Sequence, residues 1–177
     1  MVKIKPIMII NNFTLSVKLS TAKDKAIIKS IIKTVKSRCK DFIRITNLTA
    51  IANGGTLMQP YLVDQITNYS GTTITKNLPE KYGTLMTSEE ASRLKEYMTG
   101  VVEFGTGAAL GGESYTVAGK TGTAEYSSDK EKSHSWFTGF SNVDNPELVI
   151  SVVVESADKS GMSAVSVAKQ VLNAYYY

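Results

Sequence analysis

The stretch Thr116-Val117-Ala118-Gly119-Lys120-Thr121-Gly122-Thr123-Ala124-Glu125 sets an ammonium and several hydroxyls beside two glycines. Phosphate binding is the first chemistry to test, because Gly119-Lys120-Thr121 ends like a Walker loop. That loop needs a glycine five residues before Gly119, and the residue there is Ser114; Gly112 comes two positions too early. The residues that follow, Thr123 to Tyr126, continue as a strand towards the turn Ser127-Ser128-Asp129, where a phosphate loop would open a helix whose N-terminus receives the anion. Nucleotide binding is excluded on both counts, and no nucleic acid is expected as a partner.

The elements around this strand are readable from period and punctuation. Thr87-Ser88-Glu89-Glu90 is a capping box, and Leu94, Met98, Val101 and Val102 then recur at helical spacing until Gly105. Gly105 to Gly112 reads as a flexible loop that leads into the strand. Two further strands, His134 to Phe140 and Leu148 to Glu155, are separated by the turn Asp144-Asn145-Pro146, which makes an antiparallel meander. Met162, Val165, Ala168, Val171, Leu172 and Tyr175 share one face of a last helix that returns onto the sheet. Upstream, Asn47 to Ala52 closes a helix at Asn53-Gly54-Gly55. Thr56 to Thr67 reads as one strand with Pro60 near its start, paired at a sheet edge with Thr73 to Lys76 through the turn Tyr69-Ser70-Gly71-Thr72. The fold class is α+β, an antiparallel sheet with packed helices.

Composition divides the chain. Residues 1–45 hold 11 Lys or Arg against two Asp and no glycine; residues 46–177 hold 9 basic against 14 acidic residues and all 13 glycines. The boundary lies near Thr46, and the first segment reads as having a different origin. Residues 1–22 show no firm periodicity. Between 24 and 43, Ile28, Ile31, Ile32, Val35, Cys39 and Phe42 form one helical face flanked by Lys25, Lys29, Lys33, Lys36 and Lys40. This amphipathic helix is expected to cover apolar surface, with a membrane surface as the alternative partner. The single cysteine, Cys39, excludes an internal disulfide and a Cys-rich metal site, and on that apolar face it is expected to be inert. No apolar run approaches the roughly 18 residues of a spanning helix, and MVKIKPIMII is short for a signal peptide, so the sequence taken alone is expected to stay soluble and unexported.

Lys-Thr-Gly is one of three motifs, with Ser-x-x-Lys and Ser-x-Asn, of serine enzymes that react with penicillin. KTGTAE, preceded by GVVEFGTG (100–107) and followed by HSWFTGFSNVDNPELVISVVVE (134–155), resembles the C-terminal part of a penicillin-binding protein transpeptidase domain, and AIANGGTLMQPYLV (50–63) is similar to the same family. The resemblance runs from about Asn47 to Tyr175 with its elements in the family's order. It implies D,D-transpeptidation of peptidoglycan stem peptides through a serine acyl-enzyme, with stem peptides or β-lactams as partners, at the outer face of the bacterial cytoplasmic membrane, and with no cofactor or metal. It further implies that Lys120 places positive charge near the substrate carboxylate and that Thr121 and Thr123 offer it hydroxyls. The Thr123 N–H would form half of the oxyanion hole, and Gly122 would let substrate approach the strand.

The attacking group is where this sequence departs from the family. No Ser-x-Asn occurs. Within the Lys-rich first segment Ser-x-x-Lys occurs at Ser20 and Lys23, Ser30 and Lys33, and Ser37 and Lys40, none preceded by Pro-Gly and all too close to Lys120 to leave room for the second motif. Ser20, able to cap the helix that begins nearby and to bring Lys23 one turn along, is the least poor candidate. A catalytically silent remnant that retains the Lys-Thr-Gly strand, or a basic-helix membrane adaptor, are the alternatives to a working transpeptidase. His134 is expected in a turn or hydrogen-bonding role rather than as a general base, Trp136 in packing, and Glu125 in a strand-end contact.

Overall fold

Strands whose residues are apolar on both sides need cover on both faces, and that need organises the second half of this chain. The computed structural model describes residues 15–18, 39–59, 61, 63–126, 132–155, 157 and 161–177. Its described elements are strand β1 (Leu15–Lys18), helix α1 (Cys39–Ala52), strands β2 (Thr56–Met58), β3 (Val63–Thr67), β4 (Thr73–Lys76) and β5 (Lys81–Thr84), helix α2 (Ser88–Glu103), a 3-10 turn at Ala108–Leu110, strands β6 (Val117–Glu125), β7 (Ser133–Ser141) and β8 (Val149–Val154), and helix α3 (Ala164–Tyr176).

β6, β7 and β8 form the antiparallel meander that the sequence announces, in the order β6-β7-β8 with unbroken register from Val117↔Ser141 to Glu125↔Ser133. Side chains alternate between its faces. One face carries Val117, Phe137, Ile150, Val152 and Val154, buried beneath Ala164, Val165, Val167, Ala168 and Leu172 of α3. The other face carries Ala118, Phe140 and Val149, buried beneath Leu48 and Ala52 of α1 with Met98 of α2 beside them. The result is a helix–sheet–helix sandwich.

Local signals set the helix ends. Thr87 Oγ1 accepts from the Glu90 N–H at 3.2 Å while Glu90 Oε2 accepts from the Thr87 N–H at 2.8 Å, so the capping box is closed in both directions. Those bonds hold the Glu90 carboxyl below its ordinary pKa, the backbone donor first and the Thr87 hydroxyl second. Ser163 caps α3 by accepting from the Ser166 N–H at 3.1 Å. Gly54 and Gly55, both at positive φ, turn the chain away from α1.

Several expectations need correction. Leu94 does not face inwards: it is 36% exposed, whereas Met98 and Val102 of the expected stripe are turned in and Ala91 is buried beside them, because the surface the helix packs against selects one edge of the stripe. At the end of α3, Tyr175 is 54% exposed while Tyr176 packs, one i+4 step beyond Leu172. Tyr176 stacks on Tyr115 with centroids 4.5 Å apart, and its hydroxyl lies 2.6 Å from Ser141 Oγ and donates to Glu147 Oε2 at 3.2 Å. The single strand expected over 56–67 is two, since β2 pairs with β5 and β3 with β4; Pro60, which has no N–H for a ladder, lies between them in sequence. β5 was not foreseen, and β3 is not at an edge, because β1 pairs with it in parallel on the side away from β4. The β3–β4 turn behaves as expected, with Asn68 Oδ1 accepting from the Thr72 N–H at 2.9 Å and from the Ser70 hydroxyl at 2.7 Å.

The loop after α2 is anchored, because Leu110 in its 3-10 turn is fully buried. One continuous helix runs from Cys39 to Ala52, across the change of composition. The helix expected over 24–43 lies outside the described residues up to 38. Among the described residues no helix is long and apolar enough to cross a membrane, and no three His, Cys, Asp or Glu side chains converge as metal ligands would.

Candidate active site

The candidate site is the outer edge of β6. β6 pairs only with β7 among the described strands, so one row of its backbone groups is left facing away from the sheet. Which row is fixed by the ladder. The Asn142 N–H donates to Thr116 O at 2.7 Å and, at the far end, the Tyr126 N–H donates to Lys132 O at 3.1 Å. In an antiparallel pair the residues bonded to the partner alternate with those that are not. With unbroken register between these two bonds, even-numbered residues of β6 pair with β7, and the N–H and C=O groups of Gly119, Thr121 and Thr123 point to the open edge.

Burial changes along the strand at the same place. Val117, Ala118 and Gly119 are buried, whereas Lys120 is exposed and the strand stays accessible to its end. Gly119 is required by packing: a Cβ there would stand 2.4 Å from Cζ of Phe137, whose ring lies in the slot left by Gly119 and its cross-strand partner Gly139. Gly122 is not required by its neighbours, since a Cβ would meet only Trp136 Cβ at 3.4 Å. Its bare surface leaves the strand open to close approach from outside.

Lys120 and Thr121 stand at this open stretch. Lys120 Nζ donates to Thr121 O at 2.6 Å, which sets the ammonium at the edge that also carries the free Thr121 and Thr123 amides. Thr121 Oγ1 lies 2.5 Å from Thr106 Oγ1, in the loop after α2. The structure therefore gathers Lys120, Thr121, Gly122 and Thr123 on one edge and adds Thr106. Sequence reading missed that residue; its only signal was a hydroxyl between two glycines in GVVEFGTG.

The remaining residues stand apart. His134 stacks on Tyr126 with centroids 4.6 Å apart at 15°, and it sits across from Ala124 at the far end of the hairpin. Glu125 is an exposed strand end paired with Ser133. Trp136 is half-buried across from Gly122.

Ser20 and Lys23 lie outside the described residues. The Ser-x-x-Lys spacing also occurs in the second segment, at Ser92 and Lys95, Ser127 and Lys130, Ser156 and Lys159, and Ser166 and Lys169. The second and third of these pairs are outside the described residues. Lys95 is turned towards the 142–147 loop, with Nζ 3.5 Å from Val143 O and 5.9 Å from the Phe140 ring centre; desolvation there lowers its pKa, against an opposing pull from Asp144. Lys169 is paired with Glu113 at 2.7 Å. Both ammonium groups are committed elsewhere, so neither serves its serine as a base.

Comparison with known proteins gives the family of the chain. Residues 44–175 match the penicillin binding protein transpeptidase domain. The chain is 30% identical over 146 residues to peptidoglycan D,D-transpeptidase MrdA of Acinetobacter baumannii, covering 74% of this chain and 21% of that protein. It superposes on the D,D-transpeptidase domain of a peptidoglycan glycosyltransferase from Eggerthella lenta with TM-score 0.64 and 35% identity, over 73% of this chain and 30% of that one. It also superposes on the imipenem acyl-enzyme complex of penicillin-binding protein A from M. tuberculosis with TM-score 0.65 and 26% identity, over 75% and 30%. The chain thus spans about a fifth of the length of the curated relative and under a third of the solved structures. It belongs to the penicillin-binding protein transpeptidase family and holds the part of the domain that carries the Lys-Thr-Gly strand.

Proposed function

We propose that this chain supplies the substrate-carboxylate side of a penicillin-binding transpeptidase site, acting on peptides that end in D-Ala-D-Ala and on the β-lactams that resemble them. The observation that carries the reading is the open edge of β6, where the free amides of Thr121 and Thr123 stand beside the Lys120 ammonium. A peptide laid along that edge extends the sheet by one strand. Lys120 and the Thr121 and Thr123 hydroxyls then hold its terminal carboxylate by charge-assisted bonds. The Thr123 N–H donates to the carbonyl oxygen as it becomes an oxyanion, a term worth about 3 kcal/mol when a single donor is removed from such a site. In the family reaction a serine oxygen bonds to that carbonyl carbon, the peptide C–N bond breaks, and the terminal D-alanine leaves with the proton. The natural setting proposed for the site is the outer face of the bacterial cytoplasmic membrane.

The described residues hold no serine with a free lysine beside it at this edge, so the chain by itself is proposed to bind without acylation. Fluorescent penicillin tests this directly. After denaturing electrophoresis the chain is expected to carry no label, while reversible binding of penicillin is detected before denaturation. A labelled band would show that an attacking hydroxyl is present, and peptide mapping would test Ser20 first. A basic arm over residues 24–43 on an anionic membrane rests on charge alone; pelleting with anionic vesicles in low salt and release in high salt would support it, and no pelleting would remove it.

A further inference from the structure

The loop between α2 and β6 holds one hydroxyl against the Lys-Thr-Gly strand. The Gly107 N–H donates to Val101 O at 2.9 Å, and a Cβ on Gly105 would stand 2.9 Å from that same oxygen, so the chain doubles back tightly only because glycine occupies position 105. Leu110, fully buried, pins the far end of the loop in the core. Thr106 lies between these fixed points, exposed, with its hydroxyl 2.5 Å from that of Thr121.

We propose that Thr106 is a positioning residue for carboxylate recognition: its hydroxyl donates to Thr121 Oγ1 and so turns the Thr121 proton towards the bound anion. This rests on the reading of β6 as a carboxylate-gripping edge. A threonine hydroxyl has one proton and two acceptor lone pairs. Within the pair one proton is used in the mutual bond, and the oxygen that accepts keeps its own. A carboxylate only accepts, so its arrival draws on the Thr121 proton and fixes the direction of the mutual bond from Thr106 to Thr121. A hydroxyl that accepts one hydrogen bond while donating another is polarised into a stronger donor. Without Thr106 the Thr121 proton is free to turn towards nearby acceptors such as backbone carbonyls.

The test uses the full chain and acetyl-D-alanyl-D-alanine, with the C-terminal amide of the same peptide as control, followed by NMR titration. The wild-type chain is expected to bind the acid and not the amide. Thr106→Val, isosteric but without the hydroxyl, is expected to weaken binding of the acid by about tenfold. Thr106→Ser restores it, and Tm is the same for all three proteins. In a Thr121→Val background the Thr106→Val change is expected to have no further effect, which a merely structural role would not produce. Thr106→Ala gives the same comparison if the valine disturbs the loop. If Thr106→Val and Thr106→Ala bind the acid as the wild type does, the proposal fails while the reading of β6 stands. If the wild type does not distinguish acid from amide, the reading of β6 fails and the proposal with it.

Discussion

The two faces of the β6–β7–β8 sheet are built from the same strands yet end differently. Under α3 the face is closed across β7 and β8, with Phe137, Ile150, Val152 and Val154 all buried, and it opens along β6, where Thr121 is half-exposed and Thr123 and Glu125 are exposed. On the face that meets α1 and α2, only Ala118, Phe140 and Val149 are buried; farther along, Trp136, Thr138, Ser151 and Val153 are half-exposed and Lys120 is exposed. Burial on a strand follows the helix available to cover it, as well as the side chain itself. The open stretch coincides with the Lys-Thr-Gly edge, so the candidate site begins where the second layer of helices stops. The solved relatives are about three times longer than their matched portion, which leaves ample chain to cover the corresponding region in those proteins.

Truncations test this comparison most strongly. Phe137→Ala removes a fully buried ring from the closed face and is expected to cost about 3–5 kcal/mol in urea unfolding. Val153→Ala, on the half-covered face, is expected to cost about 1 kcal/mol or less. Equal losses would mean that both faces are equally load-supporting, contrary to their burial.

Smaller effects come from the two glycines of β6. Gly119→Ala drives a methyl group into the Phe137 ring and is expected to destabilise by about 1–3 kcal/mol. Gly122→Ala meets only Trp136 Cβ at ordinary distance and is expected to change stability by about 0.5 kcal/mol at most. A large loss at Gly122 would reveal packing on a surface taken here as open.

A pH dependence provides a separate test of the closed face. Burial, followed by the nearby Glu113 carboxylate, pushes the Tyr115 hydroxyl up to about 12 from its ordinary 10.0. The unfolded chain therefore loses this proton first as pH rises. Its contribution is fully present below pH about 10 and is lost between about 10 and about 12. Chemical unfolding across that window is expected to show falling stability, with a shallower fall in Tyr115→Phe. An unchanged slope in the variant would remove Tyr115 as a source. Tyr176, raised by burial in the same way, adds to the slope in the same direction.

The sequence by itself determined the local features: the capping box at Thr87, the meander of β6 to β8, the turn after Thr67 and the Lys-Thr-Gly strand. Each depends on residues a few positions apart, so short-range chemistry suffices to write it. Other features depended on distant partners. Leu94 looked inward and Tyr175 looked packed because helical period gives a stripe, while the sheet selects which edge of that stripe it buries. β5 was invisible because Lys81 to Thr84 becomes a strand only by pairing with Thr56 to Met58. Thr106 carried only the signal of a hydroxyl between two glycines, since its meeting with Thr121 spans 15 residues and requires a loop bent at Gly105 and tied down at Leu110. Tertiary structure alone decided which backbone row of β6 is free, because a strand's open edge exists only once its other edge has found a partner.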